Sequence, residues 1–178
     1  MKKICLMLAI FCMPWIIKAD TLYTTANVNL RSAPVMTDNI IEIIDVNTEV
    51  NVNTEQINNG FYYVEIKDQH GYMSTDYLAV EPVYEYLGTY KVTGYKMFDP
   101  SENGGRSNGV TASGVVGEPG RTVAMKDIDF GTEIYIKGLG TYVVEDRGVG
   151  SGVVDVACWT RDECYALTGE YEVYIKKE

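Results

Sequence analysis

Residues 142–157 read YVVEDRGVGSGVVDVA and decide the fold of the second half of the chain. Two apolar runs rich in valine, a residue that favours strands, flank a loop that contains three glycines. Asp146 and Asp155 stand at the two ends of this loop. If the two runs are antiparallel neighbours, the aspartates face one another with Cβ atoms roughly 4.5–5.5 Å apart. The stretch therefore predicts a strand pair that brings two carboxyl groups together.

Two carboxyl groups at this separation indicate acid–base chemistry. They cannot both ionise at low cost, so one stays protonated near neutral pH and is available as a general acid. Asp155 is the more informative of the two because it interrupts the apolar run 153–157, where a carboxyl group costs stability unless it is paired or used. The alternative interpretation is structural: aspartate beside glycine is a common turn residue, and Arg147 could neutralise Asp146.

The overall composition excludes several classes of function. The 178 residues include 15 Lys and Arg against 25 Asp and Glu, a net charge of −10, and nucleic-acid recognition needs clustered cations that this chain lacks. His70 is the single histidine, so hydrolases whose serine or cysteine depends on a histidine base are excluded. We expect no histidine-based metal site, and carboxyl acid–base chemistry needs no metal or other cofactor.

The first segment has the composition of a cleaved export signal. Residues 1–19 start with Lys2 and Lys3, continue in an apolar run over residues 4–17, and end with the small residue Ala19. The apolar run is shorter than the roughly 20 residues that a membrane-spanning helix needs, and the order of these parts is typical of a secretory signal peptide. The alternative is an uncleaved N-terminal anchor. We expect a secreted monomer in the cell wall or periplasm, free of the membrane after cleavage.

Two cysteines follow the predicted signal, and an exported pair is a candidate disulfide. Residues 160–163 read TRDE, the pattern of a capping box, and predict a short helix that starts at Arg161 and ends near Gly169. With the helix starting there, Cys158 lies on the incoming chain and could fold back to Cys164. The alternative is two buried thiols.

The first half, residues 20–80, contains several short strand-like runs separated by turn-forming Asn, Asp and Gly. Five such strands in about 60 residues predict a small barrel. Residues 28–34 (VNLRSAP) and 70–78 (HGYMSTDYL) resemble the opening and closing strands of the bacterial SH3 domain. The resemblance implies a module that binds peptidoglycan peptides or glycans. The alternative is a barrel that only spaces or stabilises its neighbour.

Residues 81–85 are predicted to form a linker, because Pro82 interrupts the strand pattern and a new alternation begins near Tyr86. Residues 86–178 then contain six apolar-alternating segments and the short helix. This pattern predicts an all-β second domain, a closed or nearly closed barrel with one helix.

Six segments of the second half carry a further resemblance. They are Tyr90–Tyr95, Gly109–Gly114, Gly120–Met125, Phe130–Thr132, Glu145–Gly148 and Val154–Val156. In this order they resemble the 3D (three-aspartate) domain, which is similar to the C-terminal part of the membrane-bound lytic transglycosylase A family and more remotely to the rare lipoprotein A proteins. The resemblance covers about residues 86–176. It implies a six-stranded double-psi β-barrel that cleaves the glycan chain of peptidoglycan.

The resemblance also implies residue roles. Asp155 is the acid that protonates the glycosidic oxygen and then the base that lets the muramyl 6-hydroxyl close a 1,6-anhydro ring, with Asp146 as its close partner. The implied substrate-binding residues are Thr111, Ser113, Tyr95 and Arg147. The third aspartate of the family has no direct counterpart, since Lys126 follows Met125; Asp127 is the candidate after a small deletion.

The sequence thus favours a lytic transglycosylase-like enzyme, a lyase that acts on glycan strands while the SH3-type module holds the polymer. Its expected partners are the glycan strands and stem peptides of peptidoglycan. Two alternatives remain open. One is a wall-binding protein without catalysis, for which the altered third aspartate argues. The other is a glycosidase that acts on a different β-linked glycan.

Overall fold

The computed structural model describes residues 20–105 and 107–178, and the predicted signal peptide, residues 1–19, lies outside the described residues. Within those ranges the chain forms thirteen strands, one α-helix and one short 3-10 turn. This confirms the prediction of an all-β fold with a single short helix. No helix in the described part of the chain is both long enough and apolar enough to cross a membrane.

The first domain is a seven-stranded sheet in the order β3-β2-β6-β5-β4-β1-β7. Its strands are β1 Asp20–Thr24, β2 Val28–Arg31, β3 Ile40–Ile44, β4 Glu49–Asn58, β5 Phe61–Ile66, β6 Gln69–Ser74 and β7 Leu78–Ala79, with the 3-10 turn at Thr75–Tyr77. Alternate apolar side chains, such as Val50 and Val52 on β4, form its core. The β4–β5 hairpin turns at Asn59 and Gly60, which have φ of 52° and 78° as such tight turns require.

The second domain is a closed six-stranded barrel in the order β10-β11-β9-β12-β8-β13. Its elements are β8 Tyr84–Lys96, β9 Thr122–Ala124, β10 Glu133–Ile136, β11 Gly140–Asp146, β12 Val153–Cys158, α1 Arg161–Leu167 and β13 Gly169–Lys176. Ten buried side chains, nearly all aliphatic and including Val144, Val154 and Val156, fill the barrel. Strand β8 starts at Tyr84, inside the segment predicted as a linker.

Two connections in the barrel each pass over one intervening strand. Strands β8 and β9 are consecutive in the chain but have β12 between them, and β11 and β12 are consecutive but have β9 between them. The two crossings interlock, which is the double-psi arrangement that was predicted. The expectation that β11 and β12 are antiparallel neighbours is wrong, because the loop over residues 147–152 crosses β9 instead of closing a hairpin.

The predicted disulfide is not formed: Cys158 and Cys164 are both free and buried. The capping box at Thr160 and Glu163 is present and starts α1 as expected, but the Sγ of Cys158 donates to the carbonyl oxygen of Val156 at 3.3 Å. Gly94 lets the helix approach β8, since a Cβ there would lie 2.7 Å from the Cα of Cys164. The two thiols therefore act as small apolar side chains beneath α1.

The two domains contact each other through aromatic side chains. Val46 of the first domain packs with Tyr84 and Tyr135 of the barrel. The backbone N–H of Tyr84 also donates to the side-chain oxygen of Asn47 at 3.0 Å. These contacts make the start of β8 part of the interface between the domains.

Candidate active site

Asp155 lies in the middle of β12, on the face opposite to the barrel core. Its neighbours Val154 and Val156 are buried in the core, so the alternation of the strand directs Asp155 outward. In the parallel register with β8, Asp155 is paired with Thr93. The Thr93 hydroxyl donates to Oδ1 of Asp155 at 2.6 Å, which fixes the orientation of the carboxyl group.

Asp146 ends β11 and is brought to the same place by a bulge. Asp146 and Asp155 are both paired with Ala124, on the strand that lies between theirs. The register of β11 shifts between Val144 and Asp146, and such bulges commonly redirect a side chain beside an active site. Three groups donate to the buried carboxylate at 2.9 Å: the hydroxyl of Tyr95 and the backbone N–H groups of Ala112 and Arg147.

A cavity of about 420 Å³ joins the two aspartates. Its lining residues are Tyr95, Glu102, Asn103, Gly104, Ala112, Ala124, Asp146, Arg147, Gly148, Val149 and Asp155. Two inter-strand spacings of about 4.8 Å separate their strands, so their backbones are roughly 10 Å apart. The predicted direct pairing on neighbouring strands is therefore replaced by a wider arrangement, in which β9 lies between the two strands and both carboxyl groups line the same cavity.

The surroundings of Asp155 favour its neutral form. Burial raises the pKa of Asp155 above its ordinary value, and the nearby carboxylates of Glu102 and Asp146 raise it further. The hydrogen bond from Thr93 opposes this shift, but burial is the larger effect. A carboxyl group at the wall of a cavity whose pKa is raised in this way has the tendency that a general acid requires.

Tyr95 links the two sides of the cavity. It lies on β8, its ring is buried beside Met97 and Ala157, and its hydroxyl donates to Asp146. Burial, followed by the charge of Asp146, raises the pKa of Tyr95 well above its ordinary value. The phenol therefore stays protonated and remains a hydrogen-bond donor to the carboxylate.

The other predicted binding residues are placed less directly. Thr111 is buried, and its hydroxyl bonds to Ser113 at 2.9 Å and to the carbonyl oxygen of Val115 at 3.0 Å. Ala112, which lies between them, lines the cavity instead. Arg147 lines it too, but its guanidinium donates to two backbone carbonyl groups and lies 3.7 Å from the centre of the Phe130 ring.

Asp127, the candidate third aspartate, is exposed and does not line this cavity. It accepts a hydrogen bond from the Ser151 hydroxyl at 2.9 Å and lines a separate, open concavity together with Thr132 and Lys176. The structure therefore brings together Asp146, Asp155 and Tyr95 and leaves Asp127 apart from them.

The structure adds Glu102, which sequence reasoning missed, to the acids of the cavity. Its carboxylate accepts from the backbone N–H of Lys96 at 2.9 Å and from Arg161 of α1 at 3.1 Å. The adjacent Asn103 is buried and donates to the carbonyl oxygen of Met97 at 2.7 Å. Both lie in a loop rich in Gly and Asn. This composition predicts a loop but does not indicate which residues the loop contacts in the folded chain.

Comparison with known families identifies the first domain. The profile described as the bacterial SH3 domain matches residues 26–79, which confirms the first of the two predicted resemblances. No curated protein matches the chain, and no solved structure does. The match covers β2 to β7 of the seven-stranded sheet. Residues 26–79 are therefore a bacterial SH3 domain, a module typical of extracellular and cell-wall proteins.

Proposed function

We propose that this protein is an exported enzyme that cleaves the glycan strand of peptidoglycan by a lytic transglycosylase-like reaction. The observation that carries the proposal is the pair of unlike carboxyl groups in one cavity. Asp146 is surrounded by three donors, whereas Asp155 has one donor, a raised pKa and two acidic neighbours. Such unequal environments separate an acid from a charged partner.

The reaction needs one carboxyl group in two successive roles. Neutral Asp155 gives its proton to the glycosidic oxygen as the bond from that oxygen to the anomeric carbon breaks. The resulting carboxylate then takes the proton of the muramyl 6-hydroxyl as this oxygen bonds to the same carbon. A 1,6-anhydro ring forms, Asp155 is protonated again, and no water is consumed. Hydrolytic glycosidases, in contrast, need a second carboxyl group, which either activates a water molecule or acts as the nucleophile.

The remaining cavity residues support this reaction through charge and position. Positive charge develops at the anomeric carbon as the bond breaks, and the anionic Asp146 lies on the same cavity wall to stabilise it. Tyr95 and the two backbone N–H groups hold the Asp146 carboxylate in place. Glu102 keeps the environment of Asp155 negative, which favours its protonated form.

The bacterial SH3 domain gives the enzyme its place of action. Modules of this family in wall-associated proteins suggest binding to peptidoglycan, and a tethered catalytic domain gains from the high local concentration of its substrate. The two domains are in direct contact through Val46, Tyr84 and Tyr135. We therefore assign wall binding to the first domain and glycan cleavage to the second.

Mass spectrometry of the products released from purified peptidoglycan sacculi tests the proposal. We expect the full chain to release muropeptides that end in a 1,6-anhydro ring, and Asp155→Asn to lose this activity by a factor of about 100 or more. Asp155→Asn keeps the shape of the side chain, and unchanged circular dichroism shows that the fold is intact. Products with a reducing end would indicate a hydrolase. Binding to sacculi without any release would indicate a wall-binding protein.

A further inference from the structure

A pair of aromatic rings lies exposed beside the candidate active site. Phe98 and Trp159 are stacked with ring centres 5.3 Å apart and planes 20° from parallel. Trp159 is 63% exposed and Phe98 is 38% exposed. Stacking occupies the facing sides of the two rings and leaves the outer side of Trp159 open to solvent. Aromatic rings of this size usually bury most of their surface, so a stacked pair left exposed indicates a contact surface.

Local contacts position the Phe98 ring and the main chain of Trp159, and the two rings stack on each other. Phe98 rests on Gly109, where a Cβ would lie 2.6 Å from the Phe98 ring. Trp159 is the residue between β12 and the cap of α1, and its backbone N–H donates to Glu163 at 2.8 Å. The pair therefore forms a preorganised flat surface, which reduces the entropy that binding must overcome.

The aromatic pair is connected to the cavity that contains Asp155 by short stretches of chain. Trp159 is four residues after Asp155, which is about 13 Å along an extended chain. In residues 96–104, the last three line the Asp155 cavity, whereas Lys96, Phe98, Asp99 and Pro100 line a separate concavity of about 430 Å³ together with Trp159. A polymer that extends out of the cavity along this chain reaches the rings.

Polar groups frame the aromatic surface in the way that a sugar requires. The Lys96 ammonium group pairs with the Asp99 carboxylate, and the Ser101 hydroxyl donates to Asp99 at 2.6 Å. A pyranose ring has an apolar face of C–H groups and a rim of hydroxyl and amide groups. Its face can stack on Trp159 while its rim forms hydrogen bonds to the charged pair. Ligand sites commonly combine aromatic side chains with a few polar groups in this way.

We propose that Phe98 and Trp159, with Lys96 and Asp99, form a saccharide-binding subsite that stacks a pyranose ring of the glycan strand some distance from the bond that is cleaved. The inference rests on the proposed function only in naming that strand as the ligand. Binding to the subsite does not require cleavage. The free stem peptide lacks the apolar C–H face of a pyranose, so we expect the subsite to favour the saccharide over the peptide.

Tryptophan fluorescence tests the subsite directly. Trp15 and Trp159 are the two tryptophans of the chain, so the full chain with Trp15→Phe reports on Trp159 alone. We expect a saturable change in its emission on titration with a hexamer of β-1,4-linked N-acetylglucosamine, and no change with the free stem peptide. Emission that does not change with the hexamer, or that changes equally with the peptide, would overturn the proposal.

Calorimetry of matched variants measures how much the rings contribute. We expect Trp159→Ala and Phe98→Ala to weaken hexamer binding roughly tenfold, with Trp159→Tyr close to the parent chain. Tyr165→Ala is the control, because Tyr165 on α1 is 70% exposed and outside the stacked pair. Since all of these side chains are on the surface, melting temperatures should agree closely. Equal binding by Trp159→Ala and the control would contradict the subsite.

The same measurements separate this inference from the proposed function. Asp155→Asn is expected to lose cleavage, while its binding of the hexamer still depends on Trp159. On sacculi, Trp159→Ala is expected to raise KM and to leave kcat near that of the parent chain. If no cleavage occurs but binding depends on Trp159, the subsite stands and the lytic activity fails. If cleavage occurs and binding does not depend on Trp159, the reverse holds.

Discussion

In the SH3 domain the buried polar side chains bond to nearby turns, whereas in the barrel a buried carboxylate lies at the wall of a cavity. Thr24 donates to the carbonyl oxygen of Asp45 at 2.6 Å, and Arg31 donates to the carbonyl oxygen of Thr37 at 2.8 Å. Asp146, which is 7% exposed, binds three donors beside the open cavity that also contains Asp155. The first arrangement holds loops in place, and the second holds a charge where a ligand can reach it.

The difference shows which polar groups the fold requires and which it only tolerates. The contacts of Thr24 and Arg31 explain their burial completely, since each satisfies backbone groups of the sheet and its turns. Asp155 accepts a single side-chain bond and lies among other acids, so its charged form costs stability. A group that lowers stability and has no structural role indicates a functional site.

The largest expected effect is the loss of Asp146. Asp146→Ala leaves the Tyr95 hydroxyl and two backbone N–H groups without their acceptor, and we expect the free energy of unfolding to fall by about 3 kcal/mol. Arg31→Met in the SH3 domain keeps the aliphatic stem and frees acceptors that water can reach, so we expect the free energy of unfolding to fall by about 1 kcal/mol. Urea denaturation measures both. A larger loss for Arg31→Met would reverse the comparison between the domains.

The next effect has the opposite sign, because Asp155→Asn is expected to stabilise the protein at neutral pH. Burial raises the pKa of Asp155 above its ordinary value of 3.8, so the folded state binds this proton more tightly than the unfolded state does. The parent chain therefore loses stability as the pH rises through the interval between the two pKa values. Asn carries no charge, so the variant does not have this loss.

Thermal unfolding of Asp155→Asn and the parent chain from pH 3 to pH 8 measures this effect. We expect equal stability near pH 3 and a gain for the variant of about 1 kcal/mol near pH 7, the usual size when an active-site group is removed. Asp146→Asn is the control near pH 7, where it should destabilise the protein because it replaces a buried carboxylate that accepts three hydrogen bonds. A constant difference between Asp155→Asn and the parent chain would show that Asp155 is not the titrating group.

The parts predicted from sequence are those that depend on local pattern. The alternation in residues 61–66 indicates a strand, and the box at Thr160 and Glu163 indicates the start of a helix. The prediction that β11 pairs with β12 failed, because the sequence of the two strands does not specify that β9 lies between them. Glu102 was missed for the same reason: only the folded chain brings its loop to Asp155.

The smallest expected effect concerns Asp127, which the family resemblance suggested as a third site residue. Because Asp127 is exposed and lines a different concavity, Asp127→Asn should change the free energy of unfolding by less than about 0.5 kcal/mol. Release of anhydro products should stay within about threefold of the parent chain, whereas Asp155→Asn loses it. A loss of activity in Asp127→Asn as large as in Asp155→Asn would mean that the glycan extends across both concavities, and the active site would then reach well beyond the cavity at Asp146 and Asp155.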